Sequence, residues 1–170
     1  GTRGQAVRAT LTLHFGDEKS LFGQEQLAEF TAALLDKGTA TMSREQVQDR
    51  LAQLRTELSI RGGAGQVTAT LSSRRDQLPA AIALLGELLI RPALPADAFD
   101  ELRRQTLTGL EEQRHEPEAI AENALARHGN PYPRGDLRYE RSFDEVAADV
   151  QAVTIEQVRK FHATFYGASK

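Results

Sequence analysis

The 170-residue chain contains no cysteine. Disulfides, thiol catalysis and cysteine-type metal sites are therefore excluded. A chain without thiols suits a reducing cytosol and a periplasm equally. Long apolar runs are missing as well: no stretch of about 18 apolar residues occurs, the length a membrane-spanning helix needs. Basic blocks never exceed two residues, as at Arg74-Arg75 and Arg103-Arg104, and the formal net charge is −3. Nucleic-acid binding thus has little electrostatic basis. Histidine is scarce. His14, His115, His128 and His162 are the four present, and the nearest two lie 13 positions apart. No pair can sit one turn apart on a helix face, the spacing by which one helix gives a metal ion two imidazoles. A site assembled from distant elements would need three of the four to converge with a carboxylate. Four unrelated, partly exposed histidines is the simpler reading.

What is present fits one ordinary globular domain, with 40% hydrophobic residues and enough length for a sizeable core. Val7, Ala9, Leu11, Leu13 and Phe15 alternate with Arg8, Thr10, Thr12 and His14, which predicts a strand with one buried face. A helix follows from about Gln24 to Asp36, apolar on most sides and ended by Gly38. Ser43 and Gln46 have capping-box spacing and open a second helix with a Val47, Leu51, Leu54 stripe. Residues 55–60 and 67–73 read as an antiparallel hairpin across Gly62–Gly65. Those glycines are no phosphate cradle, since no Lys-Ser/Thr follows and no helix begins there. Asp76 is expected to cap a third helix with Leu78, Ile82, Leu85 and Leu89 inward. A long helix spans about Ala96 to Arg114, with Phe99, Leu102, Leu107 and Leu110 as its core positions. A fifth spans Glu118 to Arg127. A Pro-rich loop covers residues 129–135. Ser142 with Glu145 and Thr154 with Gln157 cap two more helices, near Phe143–Ala148 and Ile155–Tyr166. The element order implies an α+β fold: an antiparallel or mixed β-sheet with helices packed on one face.

From Phe30 to Asp49 the chain reads FTAALLDKGTATMSREQVQD. This layout resembles the metal-binding helix of the M16 (pitrilysin/insulinase-like) zinc peptidases, in which an HxxEH sequence precedes a Lys-Gly-Thr. Lys37-Gly38-Thr39 is present, but the HxxEH positions fall on Glu29, Phe30, Thr31, Ala32 and Ala33. The likeness runs in order along nearly the whole chain: the strand ending at Phe15-Gly16, the glycine-rich hairpin, the helix up to Arg91-Pro92, the loop from Asn130 to Gly135, and the helix over Thr154–Gly167. The resemblance implies an M16 peptidase-like (LuxS/MPP-like metallohydrolase) fold. It also implies paired halves, one carrying zinc and the other ligand-free, that close a chamber around a peptide. The third zinc ligand of the family is a Glu on the long helix; Gly109 or Leu110 falls there, with Glu111 and Glu112 beside it.

By this resemblance the chain is a single domain, 1–170, of a ligand-free half, and a portion of a longer multidomain polypeptide. Zinc is expected in the catalytic half of the parent and no cofactor in this domain. Expected partners are other M16-like domains of the same protein and a peptide substrate, with no nucleic acid and no membrane span. An exported, periplasmic parent is implied by the resemblance alone. No catalytic and no metal-binding residue is assigned. Arg74, Arg75, Tyr132, Arg138 and Tyr139 are candidates for contact with peptide or partner, and Glu29, Ala32 and Ala33 are the degenerate motif positions. Glu29, with Glu25 nearby, reads as a surface residue or salt-bridge partner. Two alternatives stand beside this. One is a structural, core-type subunit domain without peptidase activity. The other is an enzyme built on His115 with Glu112 or Glu116, which lacks any nearby nucleophile or oxyanion site.

Overall fold

The computed structural model describes residues 6–167. Strand β1 (Ala6–His14) leads into helix α1 (Glu25–Leu34), then α2 (Arg44–Gln53). Strands β2 (Glu57–Gly63) and β3 (Gln66–Arg74) follow, then α3 (Leu78–Ile90), α4 (Ala96–Gln113), α5 (Pro117–Arg127), α6 (Phe143–Ala152) and α7 (Ile155–Phe165). The sheet has the order β1-β3-β2 and is antiparallel throughout, with no parallel pair among the described residues. β1 pairs with β3 over its whole length, from Ala6↔Arg74 to His14↔Gln66.

Period-two alternation on β3 sets the two faces of the sheet. Val67, Ala69 and Leu71 are buried, while Thr68, Thr70 and Ser72 look the other way. The buried row packs under α1, α3 and α7 with Ala28, Ala32, Leu85 and Phe161. A second cluster joins Phe30 and Leu34 of α1 to Phe99 of α4, Val150 of α6 and Val158 of α7. A third joins Val47 to Leu84 and Leu88. Helix α1 supplies residues to the first two clusters, which is why it is apolar on most sides.

Several local expectations change on the structure. Asp76 does not cap α3. Gln77 is its N-cap, without a side-chain cap bond, because the Asp76 carboxylate is held by Arg74 and Gln77 side chains. Ile82 is 51% exposed. The helix LPAAIALLGELLI is apolar nearly all round, so periodicity could not set its rotation, and the buried stripe is Ala81, Leu84, Leu85, Leu88 and Leu89. Leu11 on β1 is 42% exposed, because β1 lies at the margin of the sheet. Arg55 has φ 48 and stands outside β2. Pro117 begins α5; it lacks an N–H, which the first turn does not need. Helix α6 runs four residues beyond Ala148, to Ala152. The three expected capping boxes at Ser43, Ser142 and Thr154 are all formed.

Candidate functional site

The degenerate motif positions lie in the middle of α1. Ala32 is buried, and Glu29 and Ala33 are half-buried one turn apart on one helix face. Glu25 stands one turn before Glu29 on that face. Two carboxylates on a helix packed against a core need a cation, and Arg141 provides it. Its side chain is only 10% exposed. Its Nε lies 3.1 Å from Glu25 Oε2, and its Nη2 lies 3.7 Å from Glu29 Oε1. Its Nη1 reaches Asp149 Oδ2 of α6 at 3.2 Å and donates to Gln26 Oε1 at 3.2 Å. Buried Gln26 in turn donates Nε2 to Glu29 Oε2 at 3.1 Å. Asp149 also accepts from Arg134 Nη2 at 2.8 Å. Burial raises the carboxyl pKa of both Glu25 and Glu29, and the Arg141 charge opposes that rise.

Local sequence explains why Arg141 arrives there. It directly precedes the Ser142–Glu145 capping box that opens α6. Its carbonyl accepts from Asn123 Nδ2 of α5 at 2.9 Å. The preceding loop is stiffened from within. Gly135 adopts φ 98, donates no space to a side chain, and its carbonyl accepts from Gly23 N–H at 2.8 Å. A Cβ on Gly135 would clash with the Phe22 ring. Asn130 Oδ1 accepts from Tyr132 N–H, and Asn130 Nδ2 donates to Arg138 O.

The candidate contact residues divide into two sets. Arg138 makes a two-pronged pair with Asp136, both bonds 2.8 Å, and its guanidinium lies 4.1 Å above the Tyr132 ring. That side-chain pairing holds the Asp136 carboxyl down at about 2. Tyr139 Oη donates to Glu145 Oε1 at 2.9 Å. Tyr132, Arg138 and Tyr139 are therefore engaged inside the loop that delivers Arg141. Arg74 and Arg75 lie elsewhere, at the end of β3; Arg74 pairs with Asp76 at 3.3 Å, and Arg75 is exposed. Arg134, Asp136, Tyr139, Arg141 and Asp149 line a cleft of about 210 Å³ with α1 residues. That is smaller than the 300–1,000 Å³ of ordinary small-molecule sites.

The donor set does not fit zinc. Ala32 and Ala33 carry no donor atom, and the cation beside Glu29 is a guanidinium. Among the described residues no group of three or more His, Asp or Glu side chains is placed to hold a metal ion. The histidines stand on separate elements. His115 Nε2 lies 3.3 Å from Glu111 Oε1 at the exposed end of α4, with Glu111 as its partner and not Glu112 or Glu116. His162 Nε2 bonds Leu89 O at 2.8 Å, and burial keeps its pKa below the ordinary value. Gly109 and Leu110 stand within α4 and offer no ligand. Sequence reasoning missed Arg141, Asp149, Gln26 and Arg134. One signal was available: an acidic i, i+4 pair on an otherwise apolar helix demands a basic partner from outside it.

No protein-family model matches the sequence, and no curated protein matches it. Solved structures do match. An M16 peptidase inactive domain from Pseudomonas fluorescens superposes with TM-score 0.78 at 22% identity, over 96% of this chain and 39% of that one. A periplasmic protease from Escherichia coli gives 0.73 at 17% identity, over 96% and 18%. Pitrilysin gives 0.69 at 16%, over 98% and 18%. This is an M16-like domain by fold. The chain spans well under half the length of each of those proteins. At these identities the likeness establishes the architecture of an M16-like domain and leaves its chemistry to the residues themselves.

Proposed function

We propose that this M16-like domain is a non-catalytic wall and scaffold of a larger M16-type zinc peptidase, paired with a zinc-bearing half elsewhere in the parent polypeptide. The observation that supports it is Arg141. At the helix where the family resemblance puts the metal, a fixed organic cation pairs with Glu25, Glu29 and Asp149, and α1 carries no imidazole. A zinc ion brought there would have to displace the guanidinium, and among the described residues no three His, Asp or Glu side chains are placed to hold it. The M16 inactive domain of Pseudomonas fluorescens supports the same reading. The half-buried Thr68, Thr70 and Ser72 row of the sheet and the β3 end with Arg74 and Arg75 would face peptide or partner. An exported parent agrees with the periplasmic location of the Escherichia coli protease.

Metal analysis and a peptidase assay on the purified domain test this. The expected result is far less than one zinc per chain and no cleavage of an unstructured peptide. Stoichiometric zinc, or cleavage abolished by a chelator, overturns the reading. An HxxEH sequence in the remaining parent chain would place the domain in a peptidase; none there would make it a structural subunit domain.

A further inference from the structure

Among the described residues, α5 is the one helix that buries no side chain. Each of the other helices buries at least one. Leu125 is 75% exposed and Ile120 45%, and no α5 side chain belongs to any of the three core clusters. Its side-chain attachment to the domain is polar and single: Asn123 Nδ2 donates to Arg141 O at 2.9 Å. No ion pair joins Glu118, Glu122 or Arg127 to another described residue. A cavity of about 310 Å³ separates Ile120, Ala124 and Arg127 of α5 from Arg114 and Phe143. Short segments able to swivel flank the helix. On one side is the turn at Arg114-His115, followed by Pro117, which has no N–H to tie down. On the other, Gly129 has φ 84 and open space around it.

We propose that α5 is a strap: residues 117–127 detach from the domain and re-dock as a unit, hinged at residues 114–116 and at Gly129, while the rest of the fold stays intact. The sequence PEAIAENALAR is rich in alanine, so α5 takes a helical form by intrinsic propensity. A helix of 11 residues is nevertheless marginal in water once nothing packs on it. The void beneath it means that opening breaks few close-packed contacts, and elements with little burial open at a small fraction of the cost of global unfolding. The single side-chain tie ends on the residue that carries the cleft. Opening therefore frees the Arg141 carbonyl and uncovers Arg114 and Phe143, while the Arg141 side chain keeps its partners on α1 and α6. The inference does not rest on the zinc-free scaffold reading, which metal content decides.

Hydrogen–deuterium exchange of the 170-residue protein, read on peptic fragments at neutral pH, tests it. Protection of residues 118–127 is expected to be lower than that of α1, α4 and α7 by about a hundredfold or more. Asn123→Ala should lower it by about a further threefold and leave α1 and α7 unchanged. Proline inside a helix ordinarily destabilises the whole domain, but here its cost cannot exceed that of opening α5 alone. Ala121→Pro is therefore expected to remove the protection of residues 118–127 and to shift the urea midpoint by less than about 0.3 M, whereas Gln105→Pro, at an exposed position inside α4, should lower it by about 1 M or more. Protection in α5 equal to that in α4 overturns the proposal, as does an Ala121→Pro shift as large as that of Gln105→Pro. Exchange of α5 at the rate of an unfolded chain, unaffected by Asn123→Ala, would mean that the helix does not dock and overturns it too.

Discussion

Arg141 is the residue on which the cleft depends. It holds three carboxylates from two helices, each 30–41% exposed, and its removal leaves those negative charges facing one another. Breaking a buried ion pair costs about 3–5 kcal/mol and an exposed one about 0–1 kcal/mol, and these half-exposed carboxylates fall between. Arg141→Met is therefore expected to lower unfolding stability by about 1–3 kcal/mol in urea titrations, whereas Arg75→Met should change it by less than about 0.5 kcal/mol. Asp136 provides a pH signature of the opposite pole of the loop. Its pKa is depressed from 3.8 to about 2 by Arg138, so the folded state holds the proton less tightly than the unfolded chain. The stability this contributes is present above pH 4 and is lost as pH falls toward 2. Asp136→Asn should lower stability at neutral pH and flatten the loss between pH 4 and 2 in an acid-unfolding curve. Glu25 and Glu29 run the other way. Burial raises their pKa values, so their own contribution is present below the ordinary carboxylate range and is lost as pH rises through the raised values. Glu29→Gln should accordingly reduce the pH dependence of stability above pH 4.5.

At the scale of elements, capping chemistry was legible and helix rotation was not. The boxes at Ser43, Ser142 and Thr154 are local: a hydroxyl and an amide or carboxylate three residues apart meet whatever the rest of the fold does. Asp76 failed as a cap because Arg74 and Gln77 compete for its carboxylate. In α3 the apolar content is so high that any rotation would bury a stripe, and contacts with β3 and α2 choose the one containing Leu88. Leu88 is fully buried and Ile82 is half exposed. Leu88→Ala should cost about 2–5 kcal/mol, and Ile82→Ala less than about 1 kcal/mol. Equal costs in chemical denaturation would show that the stripe is misassigned. The extra turn of α6 also escaped the sequence. It is held by Val150, which is buried against α1 and α4, and by Asp149 bound to Arg134 and Arg141, neither of which is a neighbour in the chain.

For the molecule as a whole, α1 is the keel: one side belongs to the sheet core, the other to the α4–α6–α7 core, and the Glu25–Glu29 face closes on Arg141. Such a helix does not need a metal to hold its position. Addition of zinc at tenfold molar excess should leave the melting temperature of the domain unchanged, because a ligand stabilises only in proportion to its occupancy of the native state. A rise of several degrees that a chelator reverses would reveal a site on the native protein. Alternation and capping pairs sufficed for the sequence alone to determine an α+β domain, and the colinear landmarks around Lys37-Gly38-Thr39 pointed to the M16-like fold that the structure has. These are local or colinear properties, carried by residues within a few positions of one another. Tertiary structure alone decided that a guanidinium 112 positions from Glu29 sits beside it, and that β3 lies between β1 and β2, because charge pairing and strand order are contacts between segments whose meeting depends on the packing of the whole chain.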